Sequence, residues 1–458
     1  MRSDEPRRHE GHEEEMQAAI SRSMSLVLLV PSWLKIFLRA SAPLREIHFL
    51  LVFFGLFGFA SLSLAENWSR FRGPNGSGQS DDAGIPTKWE AVNFLWKQPL
   101  SNVGHSSPVI WDNRLYLISG DAKTGAQVVS AYDTQTGKPI WEKRFDVGSY
   151  DINHLNSYAS STPAVDADHL YLLWLKEGRV ILTALTHEGD EVWHRDIGAF
   201  QERHGFGKSP VVVDDLVYVA NDSEAESSVV ALDRKTGDVR WQTPRESGVT
   251  SFSTPCLLDP AAKDKLLLTV STASGLTALN AKTGEVVWQG LKDELNQRCV
   301  ASPIVAEGMV FVTSGQGGTG KSLIAAKADG SAAKEVYHLD KGIPQVPTPV
   351  VSGDLLFLLQ DRGTVSCVDL ATGKQNYRQR LGGDFHSSPI RVGNRIFVVA
   401  RNGDVIVLAA DRKFEILARN SLGEPCHATP AVANGRLYIR TESSLNCIGE
   451  SPAKTADN

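Results

Sequence analysis

The chain has 458 residues, of which 42% are hydrophobic and 22% are charged, a composition that supports a folded core and excludes general disorder. Its 47 basic and 53 acidic residues give a net charge of −6, which argues against a nucleic-acid-binding protein. The five cysteines include no adjacent pair and no CxxC, so neither a disulfide framework nor a zinc cluster is encoded. The 39 glycines and 21 prolines indicate many tight turns, which is typical of an all-β protein.

Residues 1–65 are predicted to be a leader for export. Residues 49–60 form an uninterrupted apolar run, basic residues lie before it, and small residues precede a cleavage site that we predict after Ala65. The run is shorter than the roughly 20 residues of a membrane span. The leader is long for a signal peptide, so Met24 is an alternative start, and an uncleaved anchor is the alternative interpretation. We expect a periplasmic or secreted protein.

A small residue followed by proline recurs at intervals of 40 to 55 residues, the range of propeller blades. The pairs, called anchors below, are Ser107-Pro108, Thr162-Pro163, Ser209-Pro210, Thr254-Pro255, Ser302-Pro303, Thr348-Pro349, Ser388-Pro389 and Thr429-Pro430. Each unit then shows two apolar strands, a third strand that ends in a glycine-containing turn, and a fourth that begins near an aromatic residue. Four antiparallel strands of this kind form one blade.

An extra copy of the fourth-strand aromatic lies before the first complete unit of the array. Trp96 precedes the first anchor, whereas the last unit stops near Ile448 without a fourth strand. We therefore predict an all-β fold, an eight-bladed β-propeller over residues 94–450, whose last blade is completed by residues 94–100. Residues 66–93 are predicted to form an N-terminal arm, and residues 451–458 a disordered tail.

The motif AYDTQTGKPIW at residues 131–141, repeated at 231–241 and 278–288, resembles the tryptophan-docking repeat of the pyrroloquinoline-quinone (PQQ) family of eight-bladed propellers. The resemblance spans about residues 94–450. It implies that aromatic residues dock between neighbouring blades, namely Trp96, Trp141, Trp193, Trp241, Trp288, Tyr337 and Tyr377. The family contains quinoprotein dehydrogenases and also non-catalytic scaffolds such as BamB, the propeller subunit of the outer-membrane assembly machine, so the fold alone does not choose a function.

The resemblance also implies what a dehydrogenase of this family needs. The quinone lies on the ring axis above a flat aromatic, beneath adjacent disulfide-bonded cysteines or another side chain, beside a divalent ion and an aspartate base. Adjacent cysteines are absent, no tryptophan is left for the floor, and the units are too short for a cofactor chamber. We therefore expect an exported, non-catalytic scaffold that binds a protein partner or an envelope component, with no cofactor.

The alternative is an oxidoreductase that uses the axial funnel, either dependent on PQQ and calcium or on another ligand. Its possible oxygen ligands are Asp384, Asp151, Asn153 and Asn156, which are equally ordinary loop residues.

The residue three positions before each anchor proline is expected to ring the axial opening. These residues are His105, Ser160, Gly207, Phe252, Val300, Val346, His386 and His427. The three histidines belong to units 1, 7 and 8, which are consecutive in a closed ring. Neutral imidazoles there can bind a metal or an anion, and the nearby Lys208, Arg298 and Tyr158 favour an anion. The other interpretation is structural, with each imidazole bonded to a neighbouring carbonyl, and we assign no metal site.

Residues 315–322, GQGGTGKS, match the P-loop pattern but are not predicted to bind a nucleotide. A P-loop needs a helix whose amino end faces the phosphate, whereas Ser322 here begins the third strand of the fifth unit. We expect a hairpin loop, no nucleotide or nucleic-acid partner, and contact with a membrane only through an uncleaved leader.

Overall fold

The computed structural model describes residues 67–450, and the predicted leader and C-terminal tail lie outside this range. Within it the chain forms eight sheets around one axis, and the only helical elements are the 3₁₀ turns Pro74–Gly76 and Ala91–Asn93. No helix of this part of the chain is long and apolar enough to cross a membrane. The predicted all-β, eight-bladed propeller is confirmed.

Each blade is a four-stranded antiparallel sheet whose first strand is innermost. The strands of blades 1 to 4 are β3 (Val109–Trp111), β4 (Arg114–Gly120), β5 (Gln127–Asp133), β6 (Pro139–Phe145); β7 (Ala164–Val165), β8 (His169–Lys176), β9 (Arg179–Thr186), β10 (Glu191–Ala199); β11 (Val211–Val213), β12 (Leu216–Asn221), β13 (Ser227–Asp233), β14 (Val239–Arg245); and β15 (Cys256–Leu257), β16 (Leu266–Ser271), β17 (Gly275–Asn280), β18 (Val286–Gly290). The strands of blades 5 to 8 are β19 (Ile304–Ala306), β20 (Met309–Gly315), β21 (Gly320–Ala328), β22 (Ala333–Leu339); β23 (Val350–Ser352), β24 (Leu355–Leu359), β25 (Thr364–Asp369), β26 (Gln375–Arg380); β27 (Ile390–Val392), β28 (Arg395–Val399), β29 (Asp404–Ala409), β30 (Ile416–Ser421); and β31 (Ala431–Ala433), β32 (Arg436–Arg440), β33 (Ser444–Gly449) with β2 (Phe94–Pro99).

Two N-terminal strands join sheets built from the far end of the chain. Strand β2 is the outer strand of blade 8, where it runs antiparallel to β33 with Trp96 opposite Cys447. Strand β1 (Gln79–Ser80) runs parallel to the innermost strand of blade 7, with Gln79 opposite Arg391. Both pairings cover sheet edges that would otherwise leave backbone groups unpaired.

The anchor residues are joined in a belt of hydrogen bonds around the axis. In seven of the eight anchors, the backbone N–H of the serine or threonine donates to the hydroxyl of the anchor in the next blade, at 3.0 to 3.1 Å. The bond from Thr429 to Ser107 links blade 8 to blade 1. The anchor side chains are all buried, so each needs such a partner. This belt explains why the repeat requires a hydroxyl before its proline.

The apolar core lies between neighbouring blades and is sealed at the rim by the docking aromatics. One such cluster combines Ile118 and Val129 of blade 1 with Leu172 and Leu185 of blade 2. Most docking rings cover a glycine in the third turn of the next blade, where a Cβ atom would lie 2.5 to 3.1 Å from the ring; the pairs are Trp96 with Gly137, Trp141 with Gly189, Trp193 with Gly237, Trp241 with Gly284, and Tyr337 with Gly373. These glycines therefore serve ring packing as well as their positive φ.

The polar atom of each of these rings also caps the turn that it covers. The acceptors are the carbonyls of Thr134, His187, Arg234, Ala281 and Leu370, at 2.8 to 3.2 Å. Trp288 differs, because no ring approaches Gly330 in the corresponding turn and its buried indole N–H has no partner among residues 67–450.

Candidate functional site

The N-terminal arm lies across one end of the axial channel. Trp68 exchanges two backbone hydrogen bonds with Ile110 of blade 1, at 3.1 and 2.9 Å. Further along, the side chain of Asn75 both donates to and accepts from the backbone of Leu257 in blade 4, at 2.9 and 2.8 Å. Blades 1 and 4 are three positions apart in the ring, so the arm passes over the end of the channel between their innermost strands. The side chain of Phe71 faces the channel and forms part of the cavity wall.

Arg72 fixes the arm to blades 6 and 7. Its side chain is fully buried, and it donates to the carbonyls of Thr348, Pro349 and Pro389 at 3.0, 2.7 and 3.0 Å. It also donates to the carbonyls of Gly76 and Ser77 in the arm, both at 3.1 Å, so all five guanidinium N–H groups are satisfied. Burial lowers the pKa of Arg72 to about 9, which leaves the group protonated at neutral pH.

The other end of the channel opens as a funnel with a cavity of about 830 Å³. The hydroxyl belt and Phe71 line it, as do all eight residues that were expected three positions before the anchor prolines. A cavity of this size accommodates a small organic molecule together with water.

The three funnel histidines are in contact on one side of the cavity. The rings of His105 and His427 stack, with centroids 4.2 Å apart and planes 15° from parallel. The Nδ1 atoms of His386 and His427 lie 3.2 Å apart, so one carries a proton that the other accepts. These three residues come from blades 1, 7 and 8.

The histidine cluster is neutral at physiological pH. Burial, with smaller contributions from the neighbouring His427, Arg440, His386 and Arg401, lowers the pKa of His105 to about 2. Burial is likewise the main cause that lowers the pKa values of His386 and His427 to about 4, with Arg401 contributing to both. The imidazoles therefore act as neutral hydrogen-bonding groups in a positive electrostatic environment.

Arg401 is a cavity residue that sequence reasoning missed. It lies in the turn between β28 and β29 of blade 7, where the backbone N–H of Arg401 donates to the carbonyl of Asp384 at 2.8 Å. The same turn in blade 6 carries Asp361, whose carboxylate accepts the backbone N–H groups of Gln345 and Val346. Aligning the turns of blades 6 and 7 in the sequence would have shown that the basic Arg401 stands where blade 6 has the acidic Asp361.

Two more of the predicted site residues, Arg298 and Asp384, line the funnel. Arg298 lines the funnel and donates to the buried carboxylate of Glu202 at 2.7 Å. Asp384 also lines it, is largely exposed, and lies 3.9 Å from Arg401.

Lys208 and Tyr158 do not line the axial cavity. The Lys208 ammonium is buried and donates to the carbonyls of Asp222 and Ser251, and burial lowers its pKa to about 8. Tyr158 lines a second cavity of about 250 Å³ and donates to the carbonyl of Tyr150. Both side chains are therefore part of the local framework.

The cavity residues do not fit a PQQ site of the kind that the resemblance implies. Neither a tryptophan nor a cysteine lines the cavity, and all five cysteines are buried free thiols. Residues 67–450 contain no group of three or more histidine, cysteine or acidic side chains arranged to hold a metal ion. The side-chain amide of Asn156, one of the possible oxygen ligands, is already bonded to the carbonyl of His204 and the backbone N–H of Ser157.

Comparison with known sequences identifies related proteins. The family model described as outer membrane protein assembly factor BamB matches residues 93–253, 225–346 and 338–414. The BamB protein of Alteromonas naphthalenivorans is 26% identical over 236 residues, which are 46% of this chain and 53% of that protein. The BamB protein of Burkholderia pseudomallei strain K96243 is 33% identical over 94 residues, 20% of this chain and 24% of that protein. The chain thus spans about half the length of the first relative and a quarter of the second.

Solved structures of both classes share the propeller. BamB from Moraxella catarrhalis matches 79% of this chain and 99% of its own, with a TM-score of 0.54 and 16% identity. A europium-containing methanol dehydrogenase matches 84% and 98%, with a TM-score of 0.63 and 12% identity. The quinohemoprotein alcohol dehydrogenase from Comamonas testosteroni matches 84% and 81%, with a TM-score of 0.61 and 13% identity. At these identities the likeness concerns the fold alone.

Proposed function

Because the chain belongs to the family of outer membrane protein assembly factor BamB, we propose that it is an exported, non-catalytic propeller that binds a protein of the cell envelope. The match of the family model across residues 93–414 is the observation that carries this proposal. The named relatives are outer membrane protein assembly factors, which supports a partner in the cell envelope. The predicted leader supports export. No cofactor is part of the proposed function.

The protein-binding role can be tested by photocross-linking from the two faces of the ring. A photoreactive residue would replace Leu155, which lines the funnel mouth, or Asp81, an exposed residue of the arm that covers the opposite end. We expect one face to give a defined adduct with an envelope protein in intact cells, while the other serves as the matched control. Loss of adducts from both faces, in a folded and exported protein, would contradict the proposal.

Export has its own measurement. Cell fractionation and N-terminal sequencing of the purified protein should find it outside the cytoplasm, beginning at Glu66 if cleavage follows Ala65. Recovery from the cytoplasm with an intact leader would contradict export.

The absence of quinoprotein catalysis is tested directly on the purified protein. It should reduce no dye with alcohols or sugars when PQQ and calcium are added, because the cavity lacks the tryptophan and cysteine side chains described above. Sustained turnover under these conditions would establish the dehydrogenase alternative instead.

A further inference from the structure

We propose that the funnel also binds a small organic monocarboxylate, whose carboxylate lies beside Arg401 and the histidine cluster and whose apolar body lies against Phe252, Val300 and Val346. This site extends beyond the protein-binding function, and either proposal can fail without the other. It arises from one ring of repeat positions in the cavity, which carries histidines on blades 7, 8 and 1 and apolar side chains on blades 4, 5 and 6.

The histidine cluster lies beside guanidinium charge that carboxylates within the protein do not fully neutralise. Arg401 has one ion-pair partner among residues 67–450, Asp384 at 3.9 Å, and the buried Nε atom of Arg401 has no hydrogen-bond partner there. Arg440, behind the cluster, is fully buried and donates to the carbonyls of Ile118 and Asn102 and the hydroxyl of Ser119. These acceptors are neutral and bond only its terminal amino groups, and its buried Nε has no partner among residues 67–450, so its charge is not cancelled and the potential at the cluster favours an anion.

The number of donors favours a singly charged anion. The planar fork of one guanidinium matches the two oxygens of a carboxylate, and neutral imidazoles add N–H donors without adding charge. A doubly charged phosphate would have one accessible arginine at the cluster and would also be repelled by Asp384. We therefore infer that a carboxylate is preferred to inorganic phosphate.

The apolar residues lie on blades 4, 5 and 6, whereas the histidine cluster lies on blades 7, 8 and 1. Phe252, Val300 and Val346 occupy the same position of the repeat as the histidines, three residues before the anchor proline. Two cations lie near the Phe252 ring, with Arg298 at 5.7 Å and Lys208 at 5.9 Å from its centroid. A ring with such neighbours offers a preformed apolar surface to a ligand.

The cluster also separates two cavities. His105, Arg401 and His427 line both the axial cavity and the smaller one of about 250 Å³. Because the arm closes the far end of the channel, a ligand enters and leaves through the funnel mouth. A carboxylate bound at the cluster would contact these side chains. The NMR resonances of the imidazole rings would therefore report directly on its binding.

The test compares four probes on the purified protein by calorimetry and by NMR of the histidine rings. We expect phenylacetate to bind about tenfold more tightly than phenylacetamide, which lacks the charge, and than acetate, which lacks the apolar body. Inorganic phosphate should bind more weakly than phenylacetate. Phenylacetate should shift the resonances of His386 and His427.

Three variants assign the contacts. Arg401→Gln should weaken phenylacetate binding about tenfold, while Arg362→Gln, at the same cavity rim on blade 6, should change it less than about twofold. Phe252→Ala should remove the preference for phenylacetate over acetate and leave the weak binding of acetate. Equal binding of phenylacetate and phenylacetamide, stronger binding of phosphate, or unaltered histidine resonances at saturation would each overturn the proposal.

Discussion

Replacing Arg72 with alanine should detach the arm and destabilise the propeller. The substitution removes five hydrogen bonds, of which the two to Gly76 and Ser77 lie within the arm, whose carbonyls gain access to water once the arm detaches. The three to Thr348, Pro349 and Pro389 leave main-chain carbonyls of blades 6 and 7 without donors. At about 1 to 1.5 kcal/mol for each of these carbonyls, the free energy of unfolding should fall by about 3 to 5 kcal/mol.

The measurement is urea unfolding followed by tryptophan fluorescence, with hydrogen exchange of the arm amides as a local readout. Arg70→Ala is a suitable comparison, because Arg70 is also buried but makes one described hydrogen bond, to the carbonyl of Pro255 at 2.6 Å. We expect that variant to lose about 1 kcal/mol. If Arg72→Ala cost no more than Arg70→Ala, and the Trp68 amide stayed protected from exchange, the arm would not depend on Arg72 and our reasoning would be refuted.

Three further predictions concern the ring itself. Trp141→Ala should lower the free energy of unfolding by about 3 to 5 kcal/mol in a urea titration, because it empties the space between blades 1 and 2, and a loss under 1 kcal/mol would contradict the docking role. Thr429→Val keeps the shape but leaves the buried Ser388 N–H without an acceptor, so it should lower the melting temperature through a loss of about 1 to 3 kcal/mol, and an unchanged temperature would argue against the belt. The pKa values of His386 and His427 near 4 lie below the ordinary 6.5, so the unfolded chain binds more protons between these limits. Stability should therefore persist above pH 6.5 and fall by about 3 kcal/mol per histidine as the pH drops from 6.5 through 4, and a double glutamine variant that unfolds with the same acid profile would refute this assignment.

The architecture was predictable because each blade repeats the same local chemistry. The hydroxyl before each proline, the glycine of the third turn and the following aromatic are all side-chain requirements, so they remain visible in the sequence. They sufficed to predict eight blades of four strands. The second role of Gly137 and its equivalents, which leave room for the docking rings, depends on contacts between blades that the repeat pattern does not show.

The candidate site was only partly accessible to the same reasoning. Repeat position placed His105, His386 and His427 at the funnel, but it says nothing about the direction of a long side chain. Lys208 turns away from the axis because the carbonyls of Asp222 and Ser251 accept from it there.

The role of the arm was hidden for a different reason. The partners of Arg72 are backbone carbonyls, which every residue type provides. The side chains of residues 348–389 therefore form no pattern that predicts these contacts. Arg401 was missed because it belongs to a turn whose residue type varies from blade to blade.

The hydrogen bonds between the two ends of the described chain affect the order in which the protein can fold. The bond between Thr429 and Ser107 spans 322 positions, and that between Arg72 and Pro389 spans 317, so segments that leave the ribosome early must wait for those made last. Blade 1 therefore lacks its neighbour, blade 8, until synthesis is almost complete. Such distant pairing slows folding and leaves sheet edges exposed until the last blades are made.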